Sequence, residues 1–252
     1  MSSPGAGHVT IVRPYDALLF DFGGTLDADG TPAVEQFLRA YRGAGGRRSA
    51  KEFETIFRES DRLLAADTGA RMMGFHEMIA AQSRLLARLT RDSERLDAEL
   101  IAASVHEAAV AVADRNCAML HRLFGSQFML GAVSNFTGNL ERCLAELNLA
   151  PMFQTIIDST VVGVRKPDPR IFTIALERLG VSASRALMVG DNPFADIQPA
   201  TALGMGTAWL SPLSRPAPAE CMPTFRIEML PQLMVHLVDE PDWLSQPRAC
   251  TG

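Results

Sequence analysis

Lysine is almost missing from this chain. Of its 24 basic residues only Lys51 and Lys166 are lysine, and the rest are arginine. A lysine kept against that bias is a candidate for work that needs a compact point charge rather than a planar fork. Cysteine is scarce too: Cys117, Cys143, Cys221 and Cys250 are scattered without metal-type spacing, and read as reduced thiols of a cytoplasmic protein. There is no surplus of positive charge. The formal net charge of −5 speaks against a nucleic-acid-binding surface and against polybasic attachment to a membrane. No apolar run approaches the ~20 residues of a membrane-spanning helix. Residues 1–12 lack the basic start and apolar block of a signal peptide. Nucleic acid and membrane are therefore not expected as partners.

What is present describes a globular protein. The 252 residues are 47% hydrophobic and 21% charged, enough for one large domain or a core carrying a smaller one. Residues 1–13 are small, Gly-containing and aperiodic, and are expected to form a flexible lead-in. A first strand is predicted at 15–22, where Ala17, Leu18, Leu19 and Phe20 run into Asp21, then Gly23 and Gly24. An acid at the carboxyl end of a buried parallel strand stands where open α/β sheets place their ligands. Glycines beside it let the backbone turn tightly and approach a ligand.

From 31 to 112 the pattern is helical. Val34, Phe37, Leu38 and Tyr41 recur on one helix face, and further helices are predicted at 51–64, 75–89 and 93–112, with a loop at 67–71. This insert of roughly 80 residues is far longer than a strand-to-strand crossover requires. Alternation follows: helix 116–124, strand 128–133, helix 139–147, strand 155–157, helix 169–179, strand 186–189, helix 194–203, strands 206–210 and 225–227, and helix 231–238. Helix 169–179 is opened by Pro169 and closed by Gly180, the favoured asymmetry. Such alternation predicts an α/β fold with a doubly wound parallel sheet and right-handed crossovers. The expected organisation is a core of 14–30 and 113–240, a helical insert at 31–112, and a patternless tail at 241–252.

Three predicted strands end in polar residues: Asp21, Ser134-Asn135 and Gly190-Asp191. In a parallel sheet these ends share one edge and converge on one crevice. Lys166 lies just before a helix, and Pro167 biases it away from helical dihedrals, so that its side chain can project back towards the strand ends.

In their order, Asp21…Thr25, Ser134, Lys166 and Gly190-Asp191…Asp196 resemble the four motifs of the haloacid-dehalogenase-like (HAD) superfamily, a likeness that spans residues 15 to 238. The resemblance implies a Rossmann-like core, a helical insert of the C1 cap type, a magnesium cofactor and an aspartyl-phosphate on Asp21. It implies that Ser134 and Lys166 act on the phosphoryl group beside Asp21, assisted by the amides of Phe22, Gly23 and Asn135. Asp21, Asp191 and the carbonyl of Gly23 would hold magnesium, with Asp196 bracing the metal site or the lysine. These roles make physical sense: a phosphate dianion repels a carboxylate nucleophile unless cations neutralise its oxygens. The implied substrate is a small phosphorylated metabolite, and the implied assembly a monomer or homodimer.

One position departs from the pattern. The phosphatase form of the first motif carries a second aspartate two residues after the nucleophile, worth ~10²–10⁴ in rate as general acid and base. Here that position is Gly23. Four readings stay open: a phosphatase for substrates with a good leaving group or with a borrowed acid; a metal-independent dehalogenase; a phosphonoacetaldehyde hydrolase using Lys51 as a Schiff base; and a non-catalytic binding module. Asp27 and Asp29 read as turn residues around Gly30. Specificity is expected from the insert, where Arg71, Met72, Met73, Phe75 and His76 are placed to reach over the site. Arg71 is the candidate for holding an anionic group. His106 and His121 read as structural or surface residues.

Overall fold

The computed structural model describes residues 14–91 and 96–237. The expected lead-in at 1–13 and tail at 241–252 lie outside the described residues, as do Ser93, where one helix was expected to begin, and Val238.

Six parallel strands build one sheet: β1 (Ala17–Phe20), β2 (Met129–Ser134), β3 (Thr155–Asp158), β4 (Ala186–Gly190), β5 (Gly206–Leu210) and β6 (Phe225–Ile227). Their order is β3-β2-β1-β4-β5-β6, so the chain moves outward from β1 to β3 and then returns to the other side of β1. A crevice opens at such a reversal, outside the carboxyl ends of the strands. Register sharpens the point. Phe20 lies opposite Ala132 and Val189, which sets the ends of β1, β2 and β4 level with one another.

β1 is buried on both faces, and its side chains alternate between two cores. Leu18 and Phe20 join the large core shared with the helical insert, whereas Ala17 and Leu19 pack with Ile171, Phe172 and Ala175. The strand stops at Phe20 rather than at residue 22, because the chain leaves the sheet at Asp21 and enters a π-type turn at Phe22–Leu26.

The insert contains α1 (Ala33–Gly43), α2 (Ala50–Ala66), a 3₁₀ turn (Thr68–Met72) and α3 (Phe75–Leu89). Ser49 and Glu52 form a capping box at the start of α2, satisfying backbone donors that a helix leaves free. The next helix, α4 (Ala98–Gly125), corrects the sequence reading. The helices expected at 93–112 and 116–124 form one continuous helix of 28 residues, begun by the Asp97 carboxylate accepting from the amides of Glu99 and Leu100. Ile101, Val105, Ala109, Ala113, Cys117 and Leu120 make an unbroken buried stripe along it, while Asp114 is exposed and Arg115 reaches across to pair with the Asp29 carboxylate. The expected boundary between insert and core, at 112 and 113, falls inside this helix. It packs on α1 and α3 at one end and joins the core through Leu120 and Leu123 at the other.

After β2 come α5 (Leu140–Glu146), an unexpected short α6 (Ser159–Val162) and α7 (Arg170–Leu179). The helix expected at 194–203 divides into a π-type turn at Pro193–Ile197 and α8 (Gln198–Ala202), with Pro199 at the start of α8. The helix expected at 231–238 is a 3₁₀ turn at Leu230–Gln232 followed by α9 (Leu233–Leu237). Among the described residues no helix is long and apolar enough to cross a membrane.

Candidate active site

Asp21 follows the last residue of β1 in an extended conformation, with its amide bonded to the carbonyl of Val189 at 2.9 Å. Ser134, the last residue of β2, donates from Oγ to Asp21 Oδ1 at 2.9 Å. Lys166 Nζ donates to the same oxygen at 2.6 Å and to Asp196 Oδ1 at 2.6 Å. All four side chains are buried. The lysine arrives as its proline neighbour suggests, from a loop rather than a helix. The Asn135 amide group clamps its backbone, accepting from Lys166 N at 2.8 Å and donating to Lys166 O at 2.9 Å. The Asn135 side chain therefore holds the lysine loop, apart from any use of its backbone amide.

β4 delivers the remaining acids. Asp191 follows the strand directly, and Asp196 sits in the turn beyond it, where Oδ2 accepts from Asn192 N at 3.1 Å. Both oxygens of Asp196 thus bond to protein donors, which makes it a brace for Lys166. Ligand oxygens of Asp21, Asp191 and Asp196 lie within 4.8 Å of one another. One lysine faces three carboxylates, and the charges respond. Burial raises the Asp191 pKa well above the usual carboxylate range, reinforced by the charges of Asp21 and Asp196. Burial likewise pushes Asp196 up to about 6, opposed by Lys166. For Lys166 burial works against the charge, but Asp196 and Asp21 outweigh it and raise the pKa. The lysine stays protonated, one positive charge among three carboxylates.

The two glycines differ. Gly24 has φ of 89°, and a Cβ there would lie 2.7 Å from Asp191 Oδ2, so only glycine fits. Gly23 has φ of −70°, and an added Cβ would meet nothing within 4 Å. Nothing steric requires glycine where the second acid is missing.

Asp27, read from sequence as a turn residue, is buried and accepts from the Gly24 amide at 2.7 Å through Oδ1. Desolvation drives its pKa up to about 7, partly opposed by that hydrogen bond. The folded protein therefore binds this proton more tightly than the unfolded chain, and Asp27 makes stability fall as pH rises from about 4 to about 7. Asp27→Asn keeps an acceptor for Gly24 and removes the ionisation. Urea denaturation across this window is expected to show a shallower loss for the variant, by roughly a few kcal/mol. Equal slopes in the two proteins would mean that Asp27 ionises freely.

Above the acids is a cavity of about 860 Å³, lined by Asp21, Lys166 and Asp191 on the core side and by α1, α2 and α3 on the insert side. Phe22 makes edge-to-face contacts with Phe75 from α3 and with Phe136, at ring separations of 5.7 and 5.4 Å, across the junction of insert and core. Phe75 lines the cavity as expected, but Arg71, Met72, Met73 and His76 do not. Arg71 is exposed, and its side chain runs beside Gly138, where an added Cβ would lie 2.9 Å from Arg71 Cγ. Lys51 is exposed on the first turn of α2 and does not line the cavity either, which removes the geometric basis for a Schiff-base lysine.

Residues 15–204 match the family model of the haloacid dehalogenase-like hydrolases. The chain belongs to that family. Among curated HAD-like relatives, phosphoserine phosphatase from Thermus thermophilus is 37% identical over 99 residues, covering 39% of this chain and 40% of the relative. Pyrimidine 5'-nucleotidase YjjG from Escherichia coli is 35% identical over 106 residues, covering 41% of this chain and 47% of the relative. The matches thus span less than half the length of each of these proteins. A dehalogenase crystal structure with an intermediate complex superposes with a TM-score of 0.64 at 19% identity, over 91% of this chain and all of that one, which shows the shared HAD fold.

Two supports of the HAD-like site are absent from the sequence reading. Trp209 on β5 donates from Nε1 to the carbonyl of Asp191 at 2.9 Å, and the Arg226 guanidinium stacks on its ring at 4.6 Å. Asp158 at the end of β3 accepts from the amides of Gly138 and Leu140, fixing the loop after Ser134. A polar residue closing a strand is the one signal that marked Asp158; nothing in the local sequence marks Trp209.

Proposed function

We propose that this protein is a magnesium-dependent phosphomonoesterase for a small phosphorylated metabolite, working through an aspartyl-phosphate on Asp21. One observation carries the reading: Asp21 is buried at the focus of the sheet edge, with Ser134 and Lys166 both bonded to Oδ1 and two further carboxylates beside it. The donor set fits magnesium, a hard cation that takes oxygen ligands and few carboxylates. Asp21, Asp191 and the Gly23 carbonyl would hold it, with Asp196 reserved for Lys166. The ion would supply positive charge against the phosphoryl oxygens.

The protein groups divide the remaining work. With Oδ1 bonded to Ser134 and Lys166, Oδ2 retains the lone pairs for attack on phosphorus. The ester P–O bond breaks as the Asp21–phosphorus bond forms, and the leaving oxygen takes the electron pair. Lys166 and the Ser134 hydroxyl stabilise charge on the phosphoryl group. Water then cleaves the acyl phosphate, which frees inorganic phosphate and restores the Asp21 carboxylate. Gly23 offers no proton to the leaving oxygen, so esters and anhydrides with good leaving groups are the favoured substrates. The helical insert serves as the cap that closes over the reaction and excludes water. The dehalogenase reading shares the missing acid but gives Asp191 no task.

A panel of phosphate esters tests this. Aryl and anomeric phosphates are expected to release phosphate with magnesium, to fall to background with EDTA, and to recover when magnesium is restored. Halide release from a 2-haloacid without metal would overturn the proposal, as would an absence of turnover together with an absence of magnesium binding.

A further inference from the structure

The three carboxylates of the site are not held equally. Asp21 takes two short hydrogen bonds, from Ser134 and Lys166, and Asp196 is bonded through both of its oxygens. Among the described residues the Asp191 carboxylate has one hydrogen-bond partner, Thr25 Oγ1, at 3.5 Å from Oδ1. That distance is at the limit of a hydrogen bond. Asp191 is also buried beside two like charges, which repel it. A side chain held so lightly is placed by its backbone.

The backbone at Asp191 has left the sheet. β4 ends at Gly190, which stands opposite Trp209 on β5, so Asp191 lies one residue beyond the last paired position. There the Trp209 side chain continues what the ladder no longer supplies, with Nε1 donating to Asp191 O at 2.9 Å. The indole is wholly buried, in a cluster with Ile197 and Cys221. Its plane is fixed from behind. Arg226 on the edge strand β6 lies over the ring at 4.6 Å, and its Nη2 donates to Pro212 O at 2.7 Å and to Arg215 O.

We infer that Trp209 is the positioning residue for Asp191: its indole N–H fixes the peptide from which that carboxylate reaches magnesium, and so sets the affinity for the ion. The inference rests on the magnesium-dependent reading above. An acid already in place binds a cation more tightly than one that must be ordered on binding. Groups that orient metal ligands from behind are typically worth about 10–100-fold in affinity.

Manganese is the probe, because it takes the same oxygen ligands and its free ion is counted by electron paramagnetic resonance. Trp209→Phe is expected to raise the manganese dissociation constant by about 10–100-fold. Turnover of an aryl phosphate at saturating magnesium is expected to stay within about threefold of wild type. A merely structural tryptophan would lower the urea midpoint and leave the metal affinity of the folded protein unchanged. Phenylalanine also vacates part of the indole site, so a ring analogue gives a second measurement. In a Trp243→Phe background Trp209 is the sole tryptophan. Replacing it by β-benzothienylalanine exchanges the N–H for sulfur at nearly constant shape, and the same loss of affinity is expected. Wild-type manganese affinity in either folded variant would overturn the role of the indole N–H and leave the phosphatase reading standing. If the wild-type protein binds neither manganese nor magnesium, the magnesium-dependent reading fails and the positioning role falls with it.

Discussion

Asp21→Asn is expected to abolish phosphate release, by at least about 10⁴-fold on an aryl phosphate with magnesium present. The amide cannot carry the phosphoryl group as an acyl phosphate, so loss of the carboxylate removes the covalent route itself. The same change is mild for the fold. An asparagine Oδ1 can still accept from Ser134 Oγ and Lys166 Nζ, and Lys166 keeps its ion pair with Asp196 at 2.6 Å. Removing a buried charge partner outright would leave Lys166 uncompensated, a loss typically of about 3–5 kcal/mol; here a second carboxylate remains. Circular dichroism and thermal unfolding close to wild type, with activity lost, is the expected pair of results. Substantial activity in a well-folded Asp21→Asn protein would remove Asp21 as nucleophile, and the proposed mechanism with it.

Gly23→Asp should act in the opposite direction. An aspartate two residues after the nucleophile is expected to raise the hydrolysis of alkyl phosphates by about 10²–10⁴, because an alkoxide leaving group needs the proton that Gly23 cannot supply. The gain should shrink for aryl phosphates, whose leaving oxygen departs with little help. The backbone at Gly23 has ordinary dihedrals (φ −70°, ψ 119°) and open space around an added Cβ, so the side chain enters without strain. Replacing glycine at a compatible position also restricts the unfolded chain and favours stability by about 0.4–1 kcal/mol. Gly23→Ala, which shares the backbone effect but has no acid, is the control and should show no gain. Unchanged alkyl-phosphate rates in a folded Gly23→Asp protein would mean that another group already protonates the leaving oxygen.

Much of this site could be read along the chain because of how parallel sheets are built. Every strand of such a sheet delivers its last residue to the same edge, so Asp21, Ser134 and Asp191 could be assigned a common location without any coordinates. Lys166 was legible for another reason: one of only two lysines in an arginine-rich chain, standing just before a proline, it reaches Asp21 at 2.6 Å. Helix lengths were less legible. The helices expected at 93–112 and 116–124 are one, because the buried stripe of α4 runs on through Ala113 and Cys117, and a local reading does not know what lies across that stripe.

Residues of the insert were the least legible. Arg71 was singled out because it follows a glycine-containing loop, yet the packing of the 3₁₀ turn lays it beside Gly138 and outside the cavity. Asp27 looked like any turn acid until burial and the Gly24 amide gave it a perturbed proton.

By itself the sequence determined the α/β class, the family, the four chemical segments and the missing acid at position 23, since each depends on residue order and on the period of strands and helices. Only the tertiary structure decided that Gly23 has room for a Cβ while Gly24 does not, that Asp196 braces Lys166, and that Asp27 is buried against the Gly24 amide. Those outcomes depend on distances between atoms far apart in the chain, and on which polar groups packing buries together.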